Sequence, residues 1–417
     1  MTKKVLIISF DLIRDGEAKV SFAIASLLAY LKNDVRFGVD FTTHHLSFNM
    51  LELKNKITEE YFENYLSEYN LYEFDTIAIS CYIWNEYSIN SFIKQIRDLG
   101  FLGKVVLGGY QISYSSKEKL YLEYPEANIF TFGYAEKSLL NSIFVDKKIA
   151  PLFLNENVDF SEIPSPYLTN EILVSENQKM VRWETKRGCP YKCSFCAHRD
   201  LTMNKVYKHE KDKILQELLL FKTKKVKRIN IIDPVFNVGK DYLSYMQYIY
   251  ELGLNAEITI QTRFEMIKGE TGKLFLDLAE KTNAHLEFGV QTIIPAEYNA
   301  INRPNDKNII SKLLPELKSR KISYEISLIY GLPYQTLDTF RQSIDFLLFE
   351  GCENLTAFPL MLLKGTELYE QKKQFNFVEH KMGDFDIPTV VSSNSFSEQD
   401  WVKMSELAGQ LKPNSRH

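Results

Sequence analysis

Three cysteines spaced C-x3-C-x2-C, namely Cys189, Cys193 and Cys196, lie in the run Arg187-Gly188-Cys189-Pro190-Tyr191-Lys192-Cys193-Ser194-Phe195-Cys196. They follow a strand-like stretch, Met180-Val181-Arg182-Trp183-Glu184-Thr185. Three thiolates this close together can hold three irons of a [4Fe–4S] cluster and leave the fourth iron open to a small molecule. The competing reading is zinc, but a structural zinc site takes four ligands, usually as two separated pairs. The nearest fourth donor is His198, and no second pair of Cys or His follows. The spacing points to an iron–sulfur centre.

Two series of strands must position that loop. In the first, Val5–Phe10, Val39–Leu46, Thr76–Tyr82, Lys104–Leu107 and Asn128–Phe132 read as strands, and Ser21–Leu31 shows helical spacing of apolar residues. Apolar strands alternating with amphipathic stretches predict a doubly wound, Rossmann-like α/β domain over residues 1–145, which would bind ligands at the carboxyl ends of its strands. A polar stretch with Pro151, Pro164 and Pro166 predicts a linker over 146–178. The second series comprises Val181–Glu184, Arg228–Asp233, Glu257–Arg263, His285–Val290, Tyr324–Ile329 and Asn354–Phe358. These six strands predict a partial (β/α)6 barrel over 179–365, with chemistry assembled at its carboxyl-terminal rim, and a short C-terminal segment over 366–417.

Composition narrows the function classes. The 417 residues suffice for two or three cored domains, and a net charge of −4 gives no electrostatic footprint for nucleic acid. No apolar run approaches membrane-spanning length, so no membrane partner is expected. Five cysteines, three of them committed to a labile cluster, fit a reducing cytoplasm.

The cysteine spacing, with Phe195 before the last cysteine, resembles the radical S-adenosylmethionine (SAM) superfamily. A doubly wound domain ahead of such a barrel is similar to the cobalamin-binding-domain class of that superfamily. Ser80-Cys81-Tyr82-Ile83-Trp84-Asn85, Gly108-Gly109, Gly331-Leu332-Pro333-Tyr334-Gln335-Thr336 and Phe358–Thr366 carry the same resemblance. It implies that Cys189, Cys193 and Cys196 ligate the cluster, that SAM chelates the open iron, and that Phe195, Asp233, Arg263 and Gln291 contact SAM. An external electron donor such as a flavodoxin or ferredoxin is implied as well. Cobalamin is a further cofactor of the class, its pocket falling at Trp84, Gly108, Gly109, Tyr110 and Tyr134. The chain departs from the class here. It lacks an Asp-x-His-x-x-Gly motif, has Gly108-Gly109-Tyr110 for the usual Gly-Gly-Pro, and Gly133-Tyr134-Ala135-Glu136 for Gly-Glu-Gly-Glu.

Two reactions share the resulting radical, which abstracts hydrogen from an unactivated C–H bond. In one, a cysteine returns hydrogen to the opposite face of a peptide Cα and inverts it; Cys81 and Cys352 are the candidate donors. In the other, methylcobalamin donates a methyl group to a peptide or small natural product. The two tyrosines in the corrin loops and the spare thiols favour epimerisation of a ribosomally made peptide, with cobalamin-dependent methyl transfer as the alternative. A tRNA methylthiolation enzyme would need a further cysteine-bound cluster and a basic tail, which the sequence lacks.

Overall fold

A computed structural model describes residues 2–53, 66, 69–147, 151–198 and 205–411. They form two compact units, the first of residues Met1–Leu173 with Met382–Ile387, the second of Val174–Lys381 with Pro388–His417.

The first unit is built on six parallel strands: β1 (Lys3–Asp11), β2 (Phe41–Asn49), β3 (Thr76–Ser80), β4 (Lys104–Gly108), β5 (Ile129–Thr131) and β6 (Leu152–Leu154), in the spatial order β2-β1-β3-β4-β5-β6. β6 lies within the stretch expected to be a linker. Its Leu-Phe-Leu triplet pairs Ile129–Thr131 and extends the sheet by one edge. Side chains alternate across each strand, so Leu6, Ile8 and Phe10 enter one hydrophobic core while Val5 and Ile7 enter another. A sheet buried on both faces needs such near-continuous apolar runs, which is why its strands were readable in the sequence. Strand order reverses direction between β1 and β3, and an open α/β sheet offers its ligand crevice at that switch point, beyond the carboxyl ends.

The second unit carries β7 (Val181–Trp183), a short antiparallel pair of β8 (Lys186–Arg187) and β9 (Tyr207–Lys208), and then β10 (Arg228–Ile231), β11 (Glu257–Thr262), β12 (Ala284–Gln291), β13 (Ser323–Tyr330) and β14 (Leu355–Pro359). The large sheet runs β14-β13-β12-β11-β10-β7, all parallel and in chain order, as the expected partial barrel requires. On β12 the buried Ala284, Leu286, Phe288 and Val290 alternate with the half-exposed His285, Glu287, Gly289 and Gln291. One face is therefore packed and the other is a polar interior. The C-terminal part adds an unforeseen pair, β15 (Val378–Met382) with β16 (Ile387–Ser392), and the helix Glu398–Gln410.

Gly109 follows β4 with φ of 104°, and a Cβ there would sit 2.5 Å from the Cys81 carbonyl oxygen. Positive φ and this approach both demand glycine. Gly109→Ala is expected to cost at least about 2 kcal/mol, read as a lower urea midpoint; an unchanged midpoint would show that the turn after β4 can relax.

Candidate active site

The cysteine loop leaves β7 at the carboxyl-terminal rim of the second sheet, and the β8–β9 ladder closes its two ends. Buried polar groups fix its entry. Asp233, wholly buried after β10, accepts hydrogen bonds from the Thr185 backbone N–H at 2.8 Å, the Lys186 N–H at 3.2 Å and the Thr185 hydroxyl. Burial raises its pKa to about 6 against the pull of Lys186. The Lys186 ammonium donates to the carbonyls of Phe236 and of Val238, the latter at 2.9 Å. Glu184 accepts both from Arg187 Nε at 2.8 Å and from the His209 ring at 2.9 Å. Burial pushes this carboxyl up, but Arg187 and His209 together hold it below the usual range. Asp233, expected among the SAM contacts, is thus enclosed by Thr185 and Lys186, and its oxygens serve the entry strand.

The middle of the loop is held from far along the chain. The Ser194 N–H donates to the Ile301 carbonyl at 2.9 Å, its hydroxyl to the Ala300 carbonyl at 3.2 Å, and its carbonyl accepts from the Leu368 N–H at 2.9 Å. Asn302 Nδ2 donates to the Lys192 carbonyl at 2.9 Å. Cys189 and Cys193 are buried and Cys196 is partly exposed. Burial pushes the Cys189 thiol up, with Arg263 and Arg303 pulling it back, and lifts Cys196 to about 11 against the hydrogen bond from the His198 N–H. Among the described residues, no three His, Cys, Asp or Glu side chains gather as they would around one metal ion. The chemistry of three sulfur donors on one loop, flanked by buried guanidinium groups, fits a polynuclear cluster carrying thiolate charge.

Two expected residues do reach this rim. Arg263, buried, lies with its guanidinium carbon 4.0 Å from the centroid of the Tyr191 ring. Among the described residues, its Nε has no hydrogen-bond partner, and Nη2 reaches Glu265 at 3.4 Å. Gln291 ends β12 with φ of 68°, where the register with β13 shifts. Phe195 is half-exposed between Ser194 and Cys196. Arg303 escaped the sequence reading. It is buried, donates from Nε to the Gly289 carbonyl at 2.7 Å, and reaches Cys193 Sγ with Nη1 at 3.7 Å. Only its place in Asn302-Arg303-Pro304, shortly after β12, offered a signal.

The turn after β13 is organised by Gln335, which is fully buried. Its Oε1 accepts from the Gly331 N–H at 2.7 Å and the Leu332 N–H at 3.2 Å, and its Nε2 donates to Glu297 Oε2 at 3.1 Å. Thr292 donates to the same oxygen at 2.6 Å.

In the first unit the switch point is lined by aromatic rings. Trp84 stacks on Tyr82, with centroids 4.6 Å apart, and donates its indole N–H to the Phe10 carbonyl at the end of β1, at 2.7 Å. Asn49 holds Ile13 by its backbone, accepting from its N–H at 3.1 Å and donating to its carbonyl at 2.9 Å. The run Asp11-Leu12-Ile13-Arg14-Asp15-Gly16 keeps the first and last residues of an Asp-x-His-x-x-Gly pattern, with Ile13 where the imidazole would be. The Asp11 carboxylate accepts instead from Ser9 at 2.6 Å and Ser47 at 3.0 Å. Tyr110 packs on Tyr114 with centroids 4.4 Å apart, and Tyr134 meets Phe160 edge-on at 5.2 Å. Both tyrosines of the altered loops thus turn onto neighbours of their own unit. Gly108 is close-packed as well, since a Cβ there would strike the Thr131 hydroxyl.

The candidate hydrogen donors fare differently. Cys81 is wholly buried, in the core of the first unit, with Sγ 3.9 Å from the Tyr124 hydroxyl. Cys352 is buried before β14, at the sheet end away from the cysteine loop, with Sγ 3.5 Å from the Asn354 carbonyl and a pKa raised by burial to about 12. Both candidate hydrogen donors are therefore buried within their units.

Residues 183–347 match the model of the radical SAM superfamily. The chain is 23% identical over 338 residues to the cobalamin-dependent radical SAM methyltransferase TokK of Streptomyces tokunonensis, covering 72% of this chain and 48% of TokK. It is 22% identical over 377 residues to the 2-(S-pantetheinyl)-carbapenam-3-carboxylate methyltransferase of Streptantibioticus cattleyicolor, covering 79% and 55% respectively. The chain spans about half the length of these curated relatives. Among solved structures, the radical SAM methyltransferase TsrM of Kitasatospora setae, with cobalamin and a [4Fe–4S] cluster bound, superposes with a TM-score of 0.70 at 13% identity, over 100% of this chain and 90% of that one. The cobalamin-dependent SAM radical enzyme OxsB gives 0.66 at 15% identity, over 93% and 64%.

Two outcomes follow from this geometry. Because cluster formation requires thiolates and burial holds Cys189 and Cys196 protonated, loading releases protons. Anaerobic loading with iron and sulfide, followed by visible absorption, should weaken as pH falls from 9 to 7. The Cys189→Ala, Cys193→Ala, Cys196→Ala triple variant should show no cluster absorption at any pH. Separately, burial raises the pKa of Glu297 above its ordinary value, against hydrogen bonds from Thr292 and Gln335. The folded state then binds more protons than the unfolded one above the ordinary carboxyl range, so this group's contribution falls as pH rises toward its folded pKa. Urea midpoints should show Glu297→Gln gaining on the wild type between pH 4.5 and 7; parallel pH curves would contradict this.

Proposed function

Since residues 183–347 belong to the radical SAM superfamily, we propose that this protein is a cobalamin-dependent radical SAM C-methyltransferase acting on a small natural product or a peptide. The observation that carries the reading is the switch point of the first unit. It presents the Tyr82–Trp84 stack over the end of β1, with Ile13 and not a histidine on the adjoining loop. A flat macrocycle suits an aromatic floor, and a pocket of this kind serves a large cofactor at the carboxyl edge of a parallel sheet.

When bound, the cluster and SAM supply reductive cleavage to a hydrogen-abstracting radical, and cobalamin supplies the methyl group. The residues of this chain have the supporting tasks. Cys189, Cys193 and Cys196 hold the cluster. Arg263, with its unpartnered buried Nε, and Gln291 at the end of β12 are placed to receive the polar groups of SAM. The polar inner face of the sheet, including Glu287 and Glu325 on adjacent strands, forms the substrate chamber. Burial, then Glu325, raises the pKa of Glu287 to about 6.

The methyl-transfer reading supersedes epimerisation because both candidate thiols are buried, whereas Tyr82 and Trp84 at the switch point are half-buried. The curated relatives are methyltransferases, which supports the same choice. The electron donor remains, in this reading, a small redox protein of the flavodoxin or ferredoxin kind.

The test is anaerobic loading of the full chain with iron, sulfide and hydroxocobalamin, then desalting and a visible spectrum. Cobalamin should co-elute near one equivalent with the cluster absorption. Trp84→Ala should retain at least fivefold less cobalamin with its cluster intact. A wild-type protein that keeps its cluster and retains no cobalamin would overturn the proposal.

A further inference from the structure

The buried Arg303 is an unusual group for its surroundings. The residue is 9% exposed, yet among the described residues no carboxylate forms an ion pair with it. Removing a charge from water without a counter-charge is costly, so a buried cation of this kind calls for an anion. Its hydrogen bonds show which one. Nε and Nη2 both donate to the Gly289 carbonyl of β12, which aims the remaining Nη1 at Cys193 Sγ, 3.7 Å away.

The surroundings maintain this aim. A Cβ on residue 289 would strike the Gln291 amide and approach Arg303 Nη2 to 3.4 Å, so Gly289 leaves the room the guanidinium fills. The preceding residues Ala300, Ile301 and Asn302 bind Ser194 and Lys192 on either side of Cys193. Four successive residues of one segment therefore engage three successive residues of the cysteine loop.

We propose that Arg303 is a positioning residue that fixes Cys193 and, through its hydrogen bond to that sulfur, raises the reduction potential of the cluster. The proposal rests on the reading of Cys189, Cys193 and Cys196 as cluster ligands. One-electron reduction adds negative charge to the cluster and its thiolates. A cationic donor on one of the sulfurs stabilises that added charge, and hydrogen bonds to sulfur and net local charge are established determinants of such potentials. Arg263, also buried and acting on Cys189, adds a second positive charge, but its guanidinium faces the Tyr191 ring and Glu265.

The experiment is a redox titration of the reconstituted full-length protein, followed by the electron paramagnetic resonance signal of the reduced cluster, for wild type, Arg303→Met and Arg303→Lys. Iron and sulfide contents are measured on each sample. Arg303→Met should make reduction at least tenfold less favourable, a shift of about 59 mV to more negative potential for one electron. Arg303→Lys, which keeps the charge and loses the forked geometry, should fall between the two. If Arg303→Met does not take up a full cluster, the lysine variant carries the test, and an unmoved potential there overturns the proposal. A potential within twofold of wild type in a fully loaded Arg303→Met also overturns it, while the cluster reading stands. A wild-type protein that forms no cluster overturns both.

Discussion

Ser194 is the point on which the cysteine loop depends. Its N–H, hydroxyl and carbonyl are each hydrogen-bonded to residues more than a hundred positions later, at Ala300, Ile301 and Leu368. Among the described residues, the cysteine-bearing stretch 188–198 forms no helix or strand that could fix three sulfurs locally. It borrows rigidity from the segment after β12 and from the short helix after β14. The cluster site is therefore a property of the assembled sheet. The strands must be in register for the loop to have these partners, and the long sequence separation makes that docking a non-local contact.

The same logic of distant anchoring recurs at the first unit's switch point. Asn49, at the end of β2, grips the backbone of Ile13 in both directions, and the Trp84 indole is tied to the end of β1 through the Phe10 carbonyl. Both contacts fix loops that follow β1 and β3, the strands that flank the reversal of order. Each unit is thus a sheet whose carboxyl edge is finished by side chains reaching from neighbouring strands. The interior of the second sheet is left polar, and that is the face a substrate chamber requires.

The strands were legible because buried parallel sheets require runs such as Val5–Phe10 and His285–Val290, and the cluster ligands because thiolate spacing is itself the chemistry. What lay hidden was mostly tertiary. Arg303 carries no local pattern that distinguishes it from a surface arginine; its meaning arises only when β12 brings Gly289 beneath it. Asp233 stood at the right strand end, but whether a carboxylate faces a ligand or its neighbour's backbone depends on how Thr185 crosses it. Cys81 ends an apolar run, and only the fold shows that its thiol lies in the first unit's core and not at its surface. β6 is a three-residue strand in a proline-bearing stretch, too short for alternation to show. The tyrosines at 110 and 134 each pack on a neighbour, Tyr114 and Phe160, a contact that the loop sequences alone do not show.

The central claim is that three cysteines leave one iron of the cluster open to SAM. It is tested most directly by electron paramagnetic resonance of the reconstituted, dithionite-reduced protein with and without SAM. Ligation of the open iron by SAM predicts a change in the g-values of the reduced cluster on addition of SAM. A spectrum that SAM leaves unaltered, in protein carrying four irons and four sulfides per chain, would contradict the account.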